Sequence, residues 1–369
     1  MKLLMILAIP MVVCLANYFI FHNKVHWKEL LMQTLSIVIL ISAVAFGFSG
    51  SKKKDSEIIN GHVTSKERVR ISCQHGYPCN PHDCMCDEKG NCMTCWDTCY
   101  THSYDIAWNV HATLGMYQSS FRVNTIDSQG LQEPPRWTKF QKGDFHMKNH
   151  DYDNYVKANA DTIYKTRGYA DRFAKFIPPY PSSPSDYYTV LDRVMQVGTK
   201  LPDIREWNYS LTKLNSELGP LKQCNVLMIM TSGQPSEYYQ AIEEAWLGGK
   251  KNDIVVMIDS DPDGKINWTN TLSWAKNDIF RVKMRDDIMT IGKLDRDSIF
   301  LAMQDNIGKL FVRKRMREFK YLDSAIILTD KEFKWLLIAA LLLSIAISAF
   351  VSLNSFDADS ENRNRRFRI

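Results

Sequence analysis

The chain has 369 residues, 45% hydrophobic and 24% charged, with a net charge of +5 and a mean hydropathy of −0.27. So small and dispersed a charge excludes a protein that holds nucleic acid electrostatically. The modest mean hides segregation: apolar residues gather in stretches near both ends, and the middle is polar and rich in aromatics.

Residues 3–21 are apolar apart from Asn17 and are interrupted by Pro10; residues 30–48 carry no charge. A third uncharged stretch, residues 335–353, lies beyond the polar middle. Each is about 19 residues, and at about 1.5 Å per residue such a helix crosses a ~30 Å hydrocarbon core. A cleaved signal peptide needs a small-residue cleavage site. Here His22, Lys24, His26 and Lys28 follow instead, as a loop between two spans would. The expectation is a two-helix transmembrane hairpin over 1–50, a third span at 335–353 and a basic tail over 354–369. Basic residues near span ends do not settle sidedness: Lys24, Lys28, Arg363, Arg365, Arg366 and Arg368 balance Lys2, Lys52, Lys53, Lys54, Lys331 and Lys334.

Residues 51–115 form a Cys-rich module. Ile58, Val63, Val69 and Ile71 suggest strands, with Asn60-Gly61 read as a turn. Cys73, Cys79, Cys84, Cys86, Cys92, Cys95 and Cys99 fall within 27 residues, with Asp87 to Asn91 as a tight turn. Two readings stay open. Sulfurs this dense suit disulfides in an oxidising compartment. Close Cys pairs on turns also suit tetrahedral zinc. Cys84, Cys86, Cys92 and Cys95 make one site, and Cys79 or Cys99 with His82 or His102 are substitutes. Cys224 either closes a long loop to the cluster or stays buried beside a strand. The cysteine usage and the basic tail place the domain on the outer, periplasmic side of a host inner membrane.

Residues 116–200 hold Pro134, Pro135, Pro178, Pro179, Pro181 and Pro184 among many aromatics. They read as an irregular region anchored by aromatics, with one helix within 151–160 or 186–197. His146 and His150 read as surface residues. Residues 201–330 are the most regular part. The apolar runs 225–231 and 253–259 read as buried strands, and 236–246 as a helix capped by Ser236 and ended by Gly248-Gly249. Residues 267–274 read as another extended piece. Residues 297–311 read as an amphipathic helix with Ile299, Met303, Ile307 and Leu310 on one face. The fold class is α+β or α/β: a Cys-rich, irregular β region and an α/β sandwich on three transmembrane helices. Val226, Met228, Val255 and Met257 should be buried.

Asp259, Asp261 and Asp263 precede Gly264 with the spacing that opens a calcium loop. A bidentate Glu is missing at the twelfth position, where Asn270 stands, and a solvated turn is the competing reading for this weak Ca²⁺ or Mg²⁺ candidate. The basic run of Arg313, Lys314, Arg315 and Arg317 suits a helix end or anionic headgroups. No Walker loop, dinucleotide fingerprint, nucleophile elbow or zincin motif is present.

The run NVLMIMTSGQPSEYYQAIEEAWLGGKKNDIVVMIDSDPDG, with the helix after Asp297, resembles the TPM domain of bacterial and plastid membrane proteins, over roughly a quarter of the chain. That resemblance implies a metal-dependent phosphatase or a modulator of a membrane complex, carried by an acidic loop. The segments SEIINGHVTSKERVRISC, CMTCWDTCYTHSYDIAW, EPPRW, HDYDNYVKANADTIY and IPPYP resemble an integral membrane family of tailed bacteriophages with no assigned activity. It implies viral origin and architecture. The leading expectation is a non-enzymatic, phage-encoded envelope protein. It sits in the bilayer and presents a Cys-stapled domain to a protein partner or modifies the host membrane. The TPM-type activity is the alternative, and zinc the possible cofactor.

Overall fold

The computed structural model describes residues 6–21, 27–86, 88, 90–114, 117–159, 162, 164, 168–181, 192–325 and 330–366. In chain order the principal elements are α1 (Ile9–Phe21), α2 (Trp27–Lys53), β1 (Lys54–Ile71), β2 (Gly76–Cys86), β3 (Cys92–Tyr100), β4 (Asp105–Leu114), β5 (Tyr117–Val123) and β6 (Phe145–Asp153). There follow β7 (Val194–Val197), α3 (Ile204–Lys222), β8 (Asn225–Thr231), α4 (Tyr238–Ala245), β9 (Asp253–Ser260), β10 (Ile266–Ser273), α5 (Ile279–Ile291), α6 (Arg296–Leu310) and α7 (Asp330–Arg366). The class is mixed α+β. Two compact units emerge: 1–55 with 152–166 and 316–369, and 56–151 with 167–315. The segments read as separate regions at 51–115, 116–200 and 201–330 thus contribute mostly to one unit.

In the first unit α1, α2 and α7 pack through Ile6, Ile37, Leu336 and Ala340. Their outward faces carry Phe19, Ile39 and Leu342, all 60% exposed or more. Among the described residues one helical stretch, Asp330–Phe350, is long and apolar enough to cross a membrane, and Leu30–Val44 is a shorter apolar helix. Three equal spans were expected. The first is interrupted: Ile6 is helical, Leu7 and Ala8 form a turn, and α1 starts at Ile9 with Pro10 in its first turn, where proline's missing N–H is harmless. Helix α1 itself has 13 residues, about 20 Å of rise. Residues 1–5 and 22–26 lie outside the described residues.

The second unit has two main sheets. One is ordered β5-β4-β1-β6, the other β10-β9-β8-β7, with β7, β8 and β9 parallel and β10 antiparallel. Alternation along β8 and β9 sends successive side chains to opposite faces. Val226, Met228, Val256 and Ile258 join the core formed with α3, α5 and α6, while Leu227, Ile229, Val255 and Met257 face Tyr238 and Ile242 of α4. Val226, Met228, Val255 and Met257 are fully buried, as strands covered on both faces require. On α6, Ile299, Met303 and Ile307 are buried and Leu310 is packed against the same core.

Several expectations need correction. Asn60-Gly61 is no turn: both lie inside β1, and Gly61 pairs with Leu114 of β4. A Cβ on Gly61 would lie 1.4 Å from the Thr113 carbonyl oxygen, so glycine is needed for close strand approach. Asn60 is buried. Its amide donates to the Cys224 carbonyl and to Asn225 Oδ1 at 3.1 and 3.2 Å, and its Oδ1 accepts from Arg193 at 2.6 Å. Burial pulls that guanidinium down to about 10. The helix within 151–160 is one turn, Tyr155–Ala158, capped by the Asn154 side chain, whereas Val194–Val197 is a strand. Residues 182–191 lie outside the described residues. Helix α4 begins after Glu237 with no side-chain cap, so Ser236 does not cap it.

Candidate functional site: the stapled hairpin and its neck

Strands β2 and β3 pair only with each other, antiparallel, from Gly76–Tyr100 to Cys86–Cys92. They contain no buried residue. Three disulfides take the place of a core: Cys79–Cys99, Cys84–Cys95 and Cys86–Cys92, with Cα separations of 5.8, 5.7 and 3.9 Å. Each closes a loop small enough to be worth about 2–3 kcal/mol in the chain-entropy view. Bulges on β2 place Asn80 and Met85 in the left-handed region, at φ of 45° and 47°. Asn tolerates that conformation and Met does not readily. Met85 is held there between two cross-linked cysteines, and it is 84% exposed. By alternation Trp96 and Tyr100 lie on the face of β3 opposite Cys95 and Cys99, and both are more than half exposed.

The hairpin grows from the β1–β4 ladder, which ends at the pair Ile71–Asp105. Cys73, His75, His102 and Asp105 gather at this neck, with one donor atom from each within 4.8 Å of the others. His75 Nδ1 is 3.3 Å from Asp105 Oδ2, and His102 Nδ1 is 3.3 Å from Asp105 Oδ1. Cys73 Sγ is 3.8 Å from His102 Nδ1. Cys73 and Asp105 are buried, His102 is half-buried and His75 is exposed. The Gln74 N–H donates to Asp105 at 2.8 Å. That bond, with smaller contributions from Cys73, His102 and His75, holds the Asp105 carboxyl below its usual range.

Of the residues singled out from sequence, Cys84, Cys86, Cys92 and Cys95 are all disulfide-bonded, in two different pairs. Cys224 is buried and outside the disulfides, and burial pushes its thiol up to about 12. Asp259, Asp261 and Asp263 do not converge. Asp259 is buried and accepts from the Thr231 hydroxyl, the Gln234 N–H and the Asn267 amide at 2.7, 3.0 and 2.9 Å. Asp261 closes a turn onto the Lys265 N–H, and Asp263 is exposed. Asp261 and Asp263 border a cleft of about 700 Å³ at the C-terminal ends of β7, β8 and β9, which Lys200, Asp295, Arg296 and Asp297 also line. His146 is buried and stacks on Phe121, so it is not a surface residue, whereas His150 is exposed, as read, and pairs with buried Glu57. Arg313 also meets Glu57, at 3.6 Å, so it is turned to the protein instead of to headgroups.

The neck cluster escaped the sequence because its members lie up to 32 positions apart, from Cys73 to Asp105, and only strand pairing joins them. One signal was present: seven clustered cysteines cannot all pair among themselves. No family model matches this chain, and neither the curated proteins nor the solved structures compared with it give a match. The phage-family and TPM resemblances therefore rest on the quoted segments alone.

Proposed function

We propose that this chain is a non-enzymatic integral membrane protein that displays the stapled hairpin to a protein partner on the oxidising side of the membrane. The observation that carries the reading is a hairpin with three cross-links, no buried residue and an exposed set of large apolar side chains. A segment of no use to a core, yet held rigid, suits recognition: rigid aromatics bind at small entropic cost. Disulfides favour an oxidising compartment. Anchoring is supported by the apolar Asp330–Phe350 helix and by outward-facing apolar side chains on α1, α2 and α7, the reverse of a soluble bundle. A phage-encoded envelope role follows from the family resemblance. The cleft beside Asp261 is where a TPM-type metal-dependent phosphatase would act. Asp259, two residues before Asp261 and outside the cleft lining, is already committed to the protein's own donors, so display ranks first.

The test is photo-crosslinking in intact host membranes. A photoreactive phenylalanine in place of Trp96 or Tyr100 should give one discrete protein adduct, lost when the disulfides are reduced. The same probe at Lys309, an exposed residue of α6, should give none. Absence of an adduct at both hairpin positions would remove the display reading.

A further inference from the structure

We infer that Cys73, His75, His102 and Asp105 form a zinc site that clamps the neck of the hairpin to the sheet it grows from. The site is separate from the hairpin's disulfides and does not depend on which partner the hairpin meets.

Geometry is the first ground. A tetrahedral ion with bonds of about 2.0–2.3 Å needs donor atoms about 3.3–3.8 Å apart. The donor separations here are 3.3 Å from His75 to one Asp105 oxygen, 3.3 Å from His102 to the other, and 3.8 Å for the Cys73 sulfur against His102. All four donors fit within 4.8 Å. The donor set is the second ground: a thiolate, two imidazoles and a carboxylate suit zinc, whereas calcium and magnesium take oxygen. Third, the supporting shell is present. The Gln74 N–H fixes Asp105 at 2.8 Å, and the His75 N–H points to the Cys73 sulfur at 3.4 Å. Such outer contacts orient metal ligands. Exposed His75 leaves an entry path.

Cysteine pairing gives a fourth ground. Six of the seven clustered cysteines pair with one another, and Cys73 is left beside two histidines and an aspartate. A nucleophilic Cys-His-Asp relay does not fit. Such a relay needs the thiol and the carboxylate on opposite ring nitrogens. Here both meet the same atom, His102 Nδ1.

Position gives the clamp its purpose. Residues 72–75 and 101–104 are the two irregular connecting segments of the neck, between the β1–β4 ladder and the hairpin. The ion would tie Cys73 and His75 on one connecting segment to His102 on the other and to Asp105 at the start of β4.

The test uses the full chain, purified in detergent without reductant, stripped with a chelator and titrated with Zn²⁺ alone. Wild type should take up about one zinc per chain with the three disulfides intact by mass spectrometry. Cys73→Ser and His102→Ala should each drop occupancy below about a tenth. His82→Ala, on the hairpin outside the cluster, should keep it. A readout independent of the variants is alkylation of Cys73 in wild type. Zn²⁺ should slow it at least about tenfold, and chelator should restore it. Failure of oxidised wild type to bind zinc, or zinc that survives loss of Cys73 and His102, would overturn the site. So would zinc that appears only after reduction and vanishes in Cys84→Ser, which would place the ion on the hairpin cysteines.

Discussion

Val255→Asp should leave the second unit unfolded. Val255 sits in the middle of β9, fully buried, between Leu227 of β8 on one side and Leu272 of β10 on the other within the α4-facing core. An aspartate there has no cationic partner, and an isolated buried carboxylate costs many kcal/mol unless it protonates or the structure opens. Total stabilities run about 5–15 kcal/mol, so one such residue consumes the whole margin. Val255→Ala, which only opens a cavity, should cost about 1–3 kcal/mol and leave the unit folded. Circular dichroism and limited proteolysis of the two variants check this. A folded, protease-resistant Val255→Asp protein would contradict the burial of β9 on both faces.

Glu57→Ala should be the next most damaging change. Its side chain is 1% exposed, and two cationic groups and an imidazole converge on it. Lys251 Nζ and His150 Nδ1 lie 2.9 and 3.0 Å from Oε1, and Arg313 Nη1 lies 3.6 Å from Oε2. Glu57 lies on β1 and its partners come from β6, from the turn before β9 and from the segment after α6, so one carboxylate ties together parts remote in sequence. Deleting one partner of a buried ionic cluster leaves the other charges poorly compensated, at about 3–5 kcal/mol. Glu57→Gln should lose less, because it retains hydrogen-bonding capacity. Urea denaturation followed by tryptophan fluorescence measures the difference. A loss below about 1 kcal/mol would place this cluster with exposed ion pairs.

Local chemistry made some of this legible. The runs at 225–231 and 253–259 read as buried strands because nearly every side chain is apolar, and α6 because Ile299, Met303 and Ile307 recur at helical spacing. Helix α3 was missed for the opposite reason. Its buried face mixes Trp207, Leu211 and Leu214 with Asn208, Thr212 and Asn215, and Pro220 lies inside it. Those polar residues are satisfied by tertiary partners that no local pattern reveals: Asn208 accepts from the Arg193 and Val194 N–H groups, and Asn215 from the Val226 N–H. Asn60-Gly61 misled in the same way, because its turn chemistry is overridden by a close crossing and a buried polar seam. At the site, the cysteine density was legible but the pairing was not. The neck cluster depends on the β1–β4 register, a long-range fact.

We propose that a membrane anchor presents an oxidised hairpin on the outer face. The most direct measurement maps thiols of the full chain in right-side-out spheroplasts. Alkaline carbonate should leave the chain in the membrane pellet. A permeant alkylating reagent should find Cys79, Cys84, Cys86, Cys92, Cys95 and Cys99 blocked before reduction. A charged, membrane-impermeant phosphine should then make all six reactive from outside. Extraction of the chain by carbonate, or six thiols already free before any reductant is added, would contradict the account.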